Sequence, residues 1–105
     1  MAIIGTFTRG TNGNFSGSIK TLTLSMKLQF AVEADKTRDN APDYRVFFGT
    51  TEVGAAWKRT GRESGREYWS VKLDDPAFAT PIYASLFEAE DGQHFHLLWS
   101  RRNGD

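Results

Sequence analysis

A short basic and aromatic stretch has the clearest capacity for binding in this sequence. Residues 54–75 read GAAWKRTGRESGREYWSVKLDD and contain five of the chain's thirteen basic residues. The same stretch contains two tryptophans and a tyrosine. Cations that contact phosphates and rings that stack on bases form a common surface for single-stranded nucleic acid. The residues predicted to form such a surface are Lys58, Arg59, Arg62, Arg66, Tyr68 and Lys72.

Strand alternation divides this predicted hairpin between two faces. The outer face would carry Lys58, Tyr68 and Lys72, with Arg62 and Arg66 in the turn. The positions assigned to the inner face are Val53, Ala55, Trp57, Arg59, Trp69, Val71 and Leu73. A purely structural interpretation stays open, because tryptophans also fill cores and basic residues keep an edge strand from pairing with other chains.

The remaining candidates for chemistry are weak. His94 and His96 flank Phe95, so both imidazoles would point to the same side of a strand. There is no cysteine, and no carboxylate stands at a spacing that completes a metal shell, so no metal site is predicted. The chain lacks a phosphate-binding loop, a nucleophile motif and a recognisable Ser–His–Asp spacing. We therefore predict no catalytic residue and no cofactor, and a binding protein rather than an enzyme.

Charge and composition limit the classes of partner. The chain has 105 residues with 13 basic and 13 acidic side chains, which argues against bulk attraction to nucleic acid or to anionic membrane. Residues 58–72 hold five basic and two acidic residues, whereas residues 73–93 hold five acidic and no basic ones. No leader peptide and no apolar run of about 20 residues is visible, so we expect a soluble cytoplasmic protein.

The elements that must position these residues are strands. Apolar and polar residues alternate with period two along most of the chain, and no helical period extends over ten residues. The clearest strand runs from Leu22 to Val32, and the apolar parity changes near Lys20, which a bulge or sharp bend would explain. The pattern predicts one all-β domain over residues 1–105, a small antiparallel barrel or sandwich of about eight strands. The expected core residues are Leu24, Met26, Leu28, Phe30, Trp57, Val71, Leu86 and Trp99.

Seven segments together resemble the family called domain of unknown function 736. They are IGTFT, FSGSIKTLTL, NAPDYRVF, EVGAAWKRT, GREYWSVKLDDP, PIYASLF and LLWSRR, in this order from Ile4 to Arg102. The resemblance implies a small bacterial protein, of a kind met mostly in alphaproteobacteria and often carried on plasmids and other mobile elements. It implies a genetic setting and no mechanism, since the family has no established activity.

The central segment is also similar to small phage proteins described as single-strand-binding-like. In those proteins a Gly-x-x-Trp-Lys segment precedes a Ser-Gly turn and an aromatic strand. The matching residues here are Gly54, Trp57, Lys58, Ser64, Gly65 and Tyr68. This shorter resemblance implies the same function as the basic and aromatic composition does.

Two classes of function remain open. The first is a module of a mobile element that binds single-stranded nucleic acid or a nucleoprotein complex through the basic hairpin. The second is a small protein-binding accessory factor, for example a counter-defence inhibitor that blocks a host nucleoprotein complex. Trp, Tyr and Arg are favoured anchors of protein interfaces, and exposed sheet edges could pair with a partner or a second copy. No membrane partner is expected.

Overall fold

Eight strands, each antiparallel to the next, form a closed barrel in the computed structural model, which describes residues 2–33, 41–61 and 65–99. The last strand pairs with the first and closes the barrel. The strands are β1 (Ala2–Arg9), β2 (Phe15–Lys20), β3 (Ser25–Val32), β4 (Tyr44–Phe48), β5 (Thr51–Thr60), β6 (Glu67–Leu73), β7 (Ile82–Glu88) and β8 (His94–Trp99). The predicted all-β antiparallel fold is confirmed, and the described residues include no helix.

Aromatic side chains fill much of the barrel interior. Alternate residues of each strand point inward, and an eight-stranded barrel is just wide enough for such side chains to fill it. The ring of Phe15 is fully buried and lies 4.7 Å from Phe95, 5.4 Å from Trp69 and 6.1 Å from Phe30, between ring centroids. These rings meet edge to face, the arrangement that their quadrupoles favour.

Arg9 covers one end of this aromatic interior. Its guanidinium carbon lies 4.9 Å from the ring centroid of Phe15, 5.1 Å from that of Phe95 and 5.6 Å from that of Trp69. A guanidinium within about 6 Å of a ring face is attracted by the ring's electrons. The exposed Arg9 therefore closes the barrel where the interior rings would otherwise meet water.

The third strand begins later than the sequence pattern predicted. The Leu24 carbonyl accepts a hydrogen bond from the Thr21 amide at 2.8 Å, and the Thr21 hydroxyl accepts one from the Leu24 amide at 3.1 Å. These bonds form a tight hairpin turn, in which Leu22 is completely exposed. The change of apolar parity therefore reflects a chain reversal between β2 and β3, and the prediction of a strand starting at Leu22 was wrong.

Half of the predicted core lies inside the barrel. Leu28, Phe30, Val71 and Leu86 are buried, as expected. Leu24, Met26 and Trp99 are only half-buried, because they border an apolar pocket at the barrel end opposite Arg9. Trp57 is also half-buried, because it lies on the outer surface of β5.

A β-bulge explains the outward position of Trp57. Val46 of β4 is opposite Gly54, whereas the next residue, Phe47, is opposite Glu52, so Val53 is an extra residue in β5. A Cβ atom on Gly54 would lie 2.2 Å from the carbonyl oxygen of Lys72, so this close approach requires glycine. The extra residue shifts the parity of β5, and both Val53 and Ala56 are buried.

Candidate binding surface

The outward residues of β5, β6 and β7 form a surface rich in rings, which we call the aromatic wall. Residue pairing places Trp57 opposite Ser70 and Arg59 opposite Tyr68, on the side of the sheet away from the core. Ser70 is in turn opposite Ser85 of β7, and Lys72 is opposite Tyr83. The residues of the aromatic wall are Ala55, Trp57, Arg59, Tyr68, Ser70, Lys72, Tyr83, Ser85 and Phe87.

Four residues on neighbouring strands form a row, three of them on the wall and His96 beside it on β8. The rings of Tyr68 and Phe87 are stacked, with centroids 5.0 Å apart and planes only 18° from parallel. Arg59 of β5 pairs with Tyr68, and His96 of β8 pairs with Phe87. Three inter-strand spacings of about 4.8 Å make the row about 14 Å long. The row offers π surfaces and a cation side by side.

A shallow hollow of about 280 Å³ lies beside this row. Trp57 and Lys72 both line it, and the carboxylate residues Glu52 and Asp74 lie at its margin. The ammonium nitrogen of Lys72 is 6.0 Å from the ring centroid of Tyr83, at the outer limit of a cation–π contact. The hollow thus combines a large ring with one cation, while its edge carries the opposite charge.

The structure brings together three of the six residues predicted for the binding surface. Arg59, Tyr68 and Lys72 lie on the aromatic wall. Arg62 lies outside the described residues. Arg66 is near the wall's end, where its guanidinium donates a hydrogen bond to the carbonyl oxygen of Glu88.

Lys58 does not share the outer face, contrary to the prediction. It is opposite Trp69, so it has the inward parity and lies at the Arg9 end of the barrel. Its ammonium nitrogen is 3.0 Å from the Glu67 carboxylate, and its backbone amide donates to Asp43 at 2.7 Å. The bulge at Val53 reverses the face that simple alternation assigns to Lys58, and moves Arg59 and Trp57 outward.

Sequence reasoning missed three aromatic members of the wall. Trp57 was assigned to the core, and Tyr83 and Phe87 were not considered as part of the surface. The glycine at position 54 is the signal for Trp57, because an isolated glycine in a strand often marks a bulge. For Phe87, the signal is its position next to Leu86 in an alternating strand. Neighbouring residues of a strand point to opposite faces, so an inward Leu86 places Phe87 on the solvent-facing side.

The opposite side of the barrel has an ordinary polar surface. The outward residues of β1, β2 and β3 include Thr6, Thr8, Ser16, Ser18, Lys27 and Gln29, all of them exposed. Strands of the same barrel therefore fold with small or polar residues outside. The rings of the aromatic wall are not a requirement of the fold.

His94 and His96 both face outward, and the side chain of His94 contacts Asp91. Asp91 accepts hydrogen bonds from the backbone amides of His94 at 3.0 Å and Gln93 at 2.9 Å, and its other oxygen is 2.6 Å from Nδ1 of His94. These bonds, the His94 amide foremost, hold the pKa of Asp91 well below its ordinary value. Among the described residues no cluster of three potential metal ligands is found.

A small network of ion pairs lies on β4, the strand that pairs with β5 at one edge of the aromatic wall. Arg45 forms ion pairs with Glu33 and with Glu52, the latter at 3.0 Å. The hydrogen bond to Glu33, followed by that to Glu52, raises the pKa of Arg45 above its ordinary value. One of the two carboxylates at the hollow's margin, Glu52, is thus engaged by a neighbouring strand.

Comparison with known protein families gives a match that covers nearly the whole chain. The family described as "Protein of unknown function (DUF736)" matches residues 3–102. The chain belongs to this family. This match confirms the resemblance to domain of unknown function 736, and the family's description names no activity or ligand. Neither the comparison with curated proteins nor that with solved structures found a match. Among the described residues of this DUF736 protein, no helix is long and apolar enough to cross a membrane.

Proposed function

We propose that the chain is a non-enzymatic binding protein that contacts single-stranded nucleic acid through the aromatic wall. The observation that supports this proposal is the row in which Tyr68 and Phe87 stack between Arg59 and His96. Bases stack on such rings whatever their sequence, and cations beside the rings contact the phosphates. A base could extend the row or cover the indole of Trp57.

The charge distribution supports local rather than long-range attraction. The chain has zero formal net charge, and no ion pair of Arg59 is present among the described residues. Lys58, by contrast, is compensated by Glu67. We therefore expect modest affinity that falls steeply with salt, because each neutralised phosphate releases condensed counterions.

Fluorescence anisotropy with a labelled oligonucleotide tests the stacking role of Tyr68. Tyr68→Ala should weaken binding by about 1–3 kcal/mol if a base stacks there, whereas Tyr68→Phe should bind nearly as well because it keeps the ring. Gln29→Ala, on the polar side of the barrel, is the matched control and should leave affinity unchanged. Equal binding by Tyr68→Ala and the unchanged chain would place the site elsewhere.

Charge reversal separates the aromatic wall from the surface first predicted. Arg59→Glu together with Lys72→Glu should weaken binding strongly at low salt, and the slope of the remaining affinity against salt should correspond to about two fewer phosphate contacts. Lys58→Glu should have a smaller effect, since Lys58 lies at the barrel end and already pairs with Glu67. A larger loss from Lys58→Glu than from the double variant would contradict the assignment.

A protein partner is the second candidate, and the hollow beside Trp57 favours it. Its margin carries Glu52 and Asp74 as well as Lys72, and mixed charges around a large ring suit a polypeptide better than a polyanion. In that case the chain is an accessory factor or inhibitor, for example a counter-defence protein acting on a host nucleoprotein complex. Absence of oligonucleotide binding even at low salt, with nuclease-resistant capture of a protein that Trp57→Ala abolishes, would favour this candidate.

The setting we propose is the cytoplasm of a bacterium that carries a mobile element, which rests on the family resemblance. The closed barrel bears on how a partner docks. Each of the eight strands is hydrogen-bonded on both sides, so a partner or second copy would have to open the barrel to add a strand. Side-chain surfaces such as the aromatic wall are therefore the better candidates for contact than strand edges.

A further inference from the structure

The barrel end opposite Arg9 contains an apolar pocket of about 470 Å³. The buried side chains of Ile19 and Leu73 form its inner end, and the half-buried Met26, Leu24 and Trp99 lie around it. Its size is within the range of about 300–1,000 Å³ that small-molecule sites occupy. The pocket is separate from the aromatic wall, so an inference about it does not depend on the proposed function.

The pocket stays open because the hairpin between β2 and β3 does not fold over it. Leu22, at the tip of that hairpin, is 100% exposed, although Leu24 two residues later lines the pocket. Eight-stranded barrels are wide enough either to be filled by side chains or to hold one small ligand. In this barrel, side chains fill the half near Arg9 and leave space in the other half.

One charged residue, Lys20, lies among the described residues that line the pocket. It ends β2, is exposed, and stands beside the hairpin at the pocket's mouth. A lysine placed in this way can lay its methylene stem along apolar surface and keep its ammonium group in water. An apolar space with a single cation at its entrance complements a ligand that has a hydrocarbon chain and one anionic group.

We propose that this pocket binds a small amphipathic carboxylate, with its alkyl chain in the barrel end and its carboxylate near Lys20. The alkyl chain gains affinity by leaving water, and the carboxylate orients the chain at the mouth. The binding is non-covalent, so the ligand leaves unchanged.

Calorimetric titration with hexanoate, octanoate and decanoate tests the chain-length dependence. Affinity should rise about fourfold for each added methylene that enters the pocket, which corresponds to about 0.8 kcal/mol per buried CH₂. No heat of binding with decanoate at about 1 mM, or an affinity independent of chain length, would overturn the proposal.

Variants at the mouth test the orientation of the ligand. Lys20→Gln should weaken decanoate several-fold and leave decanol unaffected, since decanol has no charge to pair. Leu24→Asp should lower decanoate affinity at least tenfold by adding a like charge, and Leu24→Asn should lower it less. Val32→Asn, at the half-exposed Val32 near Arg9, is the control and should bind decanoate normally. Thermal unfolding of each variant shows whether it is folded.

A second copy of the chain is the competing occupant of the pocket. The exposed Leu22 stands next to the pocket, so two copies could exchange these side chains about a two-fold axis. Light scattering on the full chain decides between the two. A dimer that Leu22→Ser converts to monomer, combined with absence of decanoate binding, would replace the small ligand with a second copy. A monomer that binds decanoate supports the proposal.

Discussion

At one end of the barrel the guanidinium of Arg9 lies 4.9–5.6 Å from the centroids of three rings, whereas at the other end Leu24, Met26 and Trp99 border an open pocket. The two ends belong to the same closed sheet and differ in the side chains and connecting loops that meet there. At the Arg9 end, bulky rings from six strands fill the space and a cation covers them. At the opposite end, mostly aliphatic residues together with Met26 and Trp99 leave part of the space unfilled.

This difference shows that closure of the barrel and filling of its interior depend on different properties of the chain. Closure depends on backbone pairing around all eight strands. Filling depends on the volume of the inward residues at each level, which the backbone does not fix. Stability should therefore reside mainly in the Arg9 half, and the pocket half can accept changes or a ligand at small cost.

The largest expected effect is the loss of an interior ring. Phe15→Ala should lower the free energy of unfolding by about 3–5 kcal/mol, because a fully buried aromatic leaves a large cavity. Met26→Ala, at the half-buried pocket end, should cost much less, since the space around it is already open. Urea unfolding of both variants measures the difference, and equal losses would contradict the division into a packed and an open half.

Removing the guanidinium of Arg9 should have a moderate effect. Arg9→Met keeps an unbranched apolar stem but removes the guanidinium and its attraction to the rings, at an expected cost of about 0.5–2 kcal/mol. Arg59→Met is the matched control on the aromatic wall and should change stability by less. If both variants unfold at the same urea concentration, the covering role assigned to Arg9 is wrong.

Changing Leu22 should have almost no effect on stability. The side chain is completely exposed, and the turn that carries it is held by the hydrogen bonds of Thr21 and Leu24. Leu22→Ser should therefore stay within about 0.5 kcal/mol of the unchanged chain. A marked destabilisation at high protein concentration that disappears on dilution would mean that Leu22 is covered in solution by a second copy of the chain.

The smallest effect concerns pH at the Arg9 end of the barrel, where Asp91 holds the turn before β8. The pKa of Asp91 is lowered in the folded state by the amides of His94 and Gln93. Its stabilisation is therefore present above the ordinary pKa of aspartate and is lost as the pH falls through the lower folded-state value. Melting curves of the unchanged chain and of Asp91→Asn should differ at neutral pH and converge in strong acid. A difference in melting temperature that stays the same at every pH would contradict this origin of the stabilisation.

Much of the fold could be predicted because period-two alternation is local. The segments around Leu28 and Val71 alternate without interruption, so these strands and the inward placement of Leu28, Phe30 and Val71 followed directly from the sequence. The start of β3 was wrong because the turn at Leu22 contains two leucines, which continue the alternation into a region where hydrogen bonds reverse the chain.

The binding surface was harder to predict because one extra residue reverses a face. Alternation assigned Trp57 to the core and Lys58 to the surface, and the bulge at Val53 exchanged them. Tyr68 and Lys72, on the regular strand β6, were assigned correctly. A pattern of period two carries no information about where an extra residue will be accommodated.

The sequence by itself determined the strands, the all-β class and the family, because each depends on residue type and order along the chain. The tertiary structure decided which strand closes the barrel, which side chains share a wall and where space remains inside it. Those properties depend on register between segments distant in sequence, such as Thr6 against His96. Register is set by the simultaneous packing of all inward residues, and local residue preferences cannot specify it.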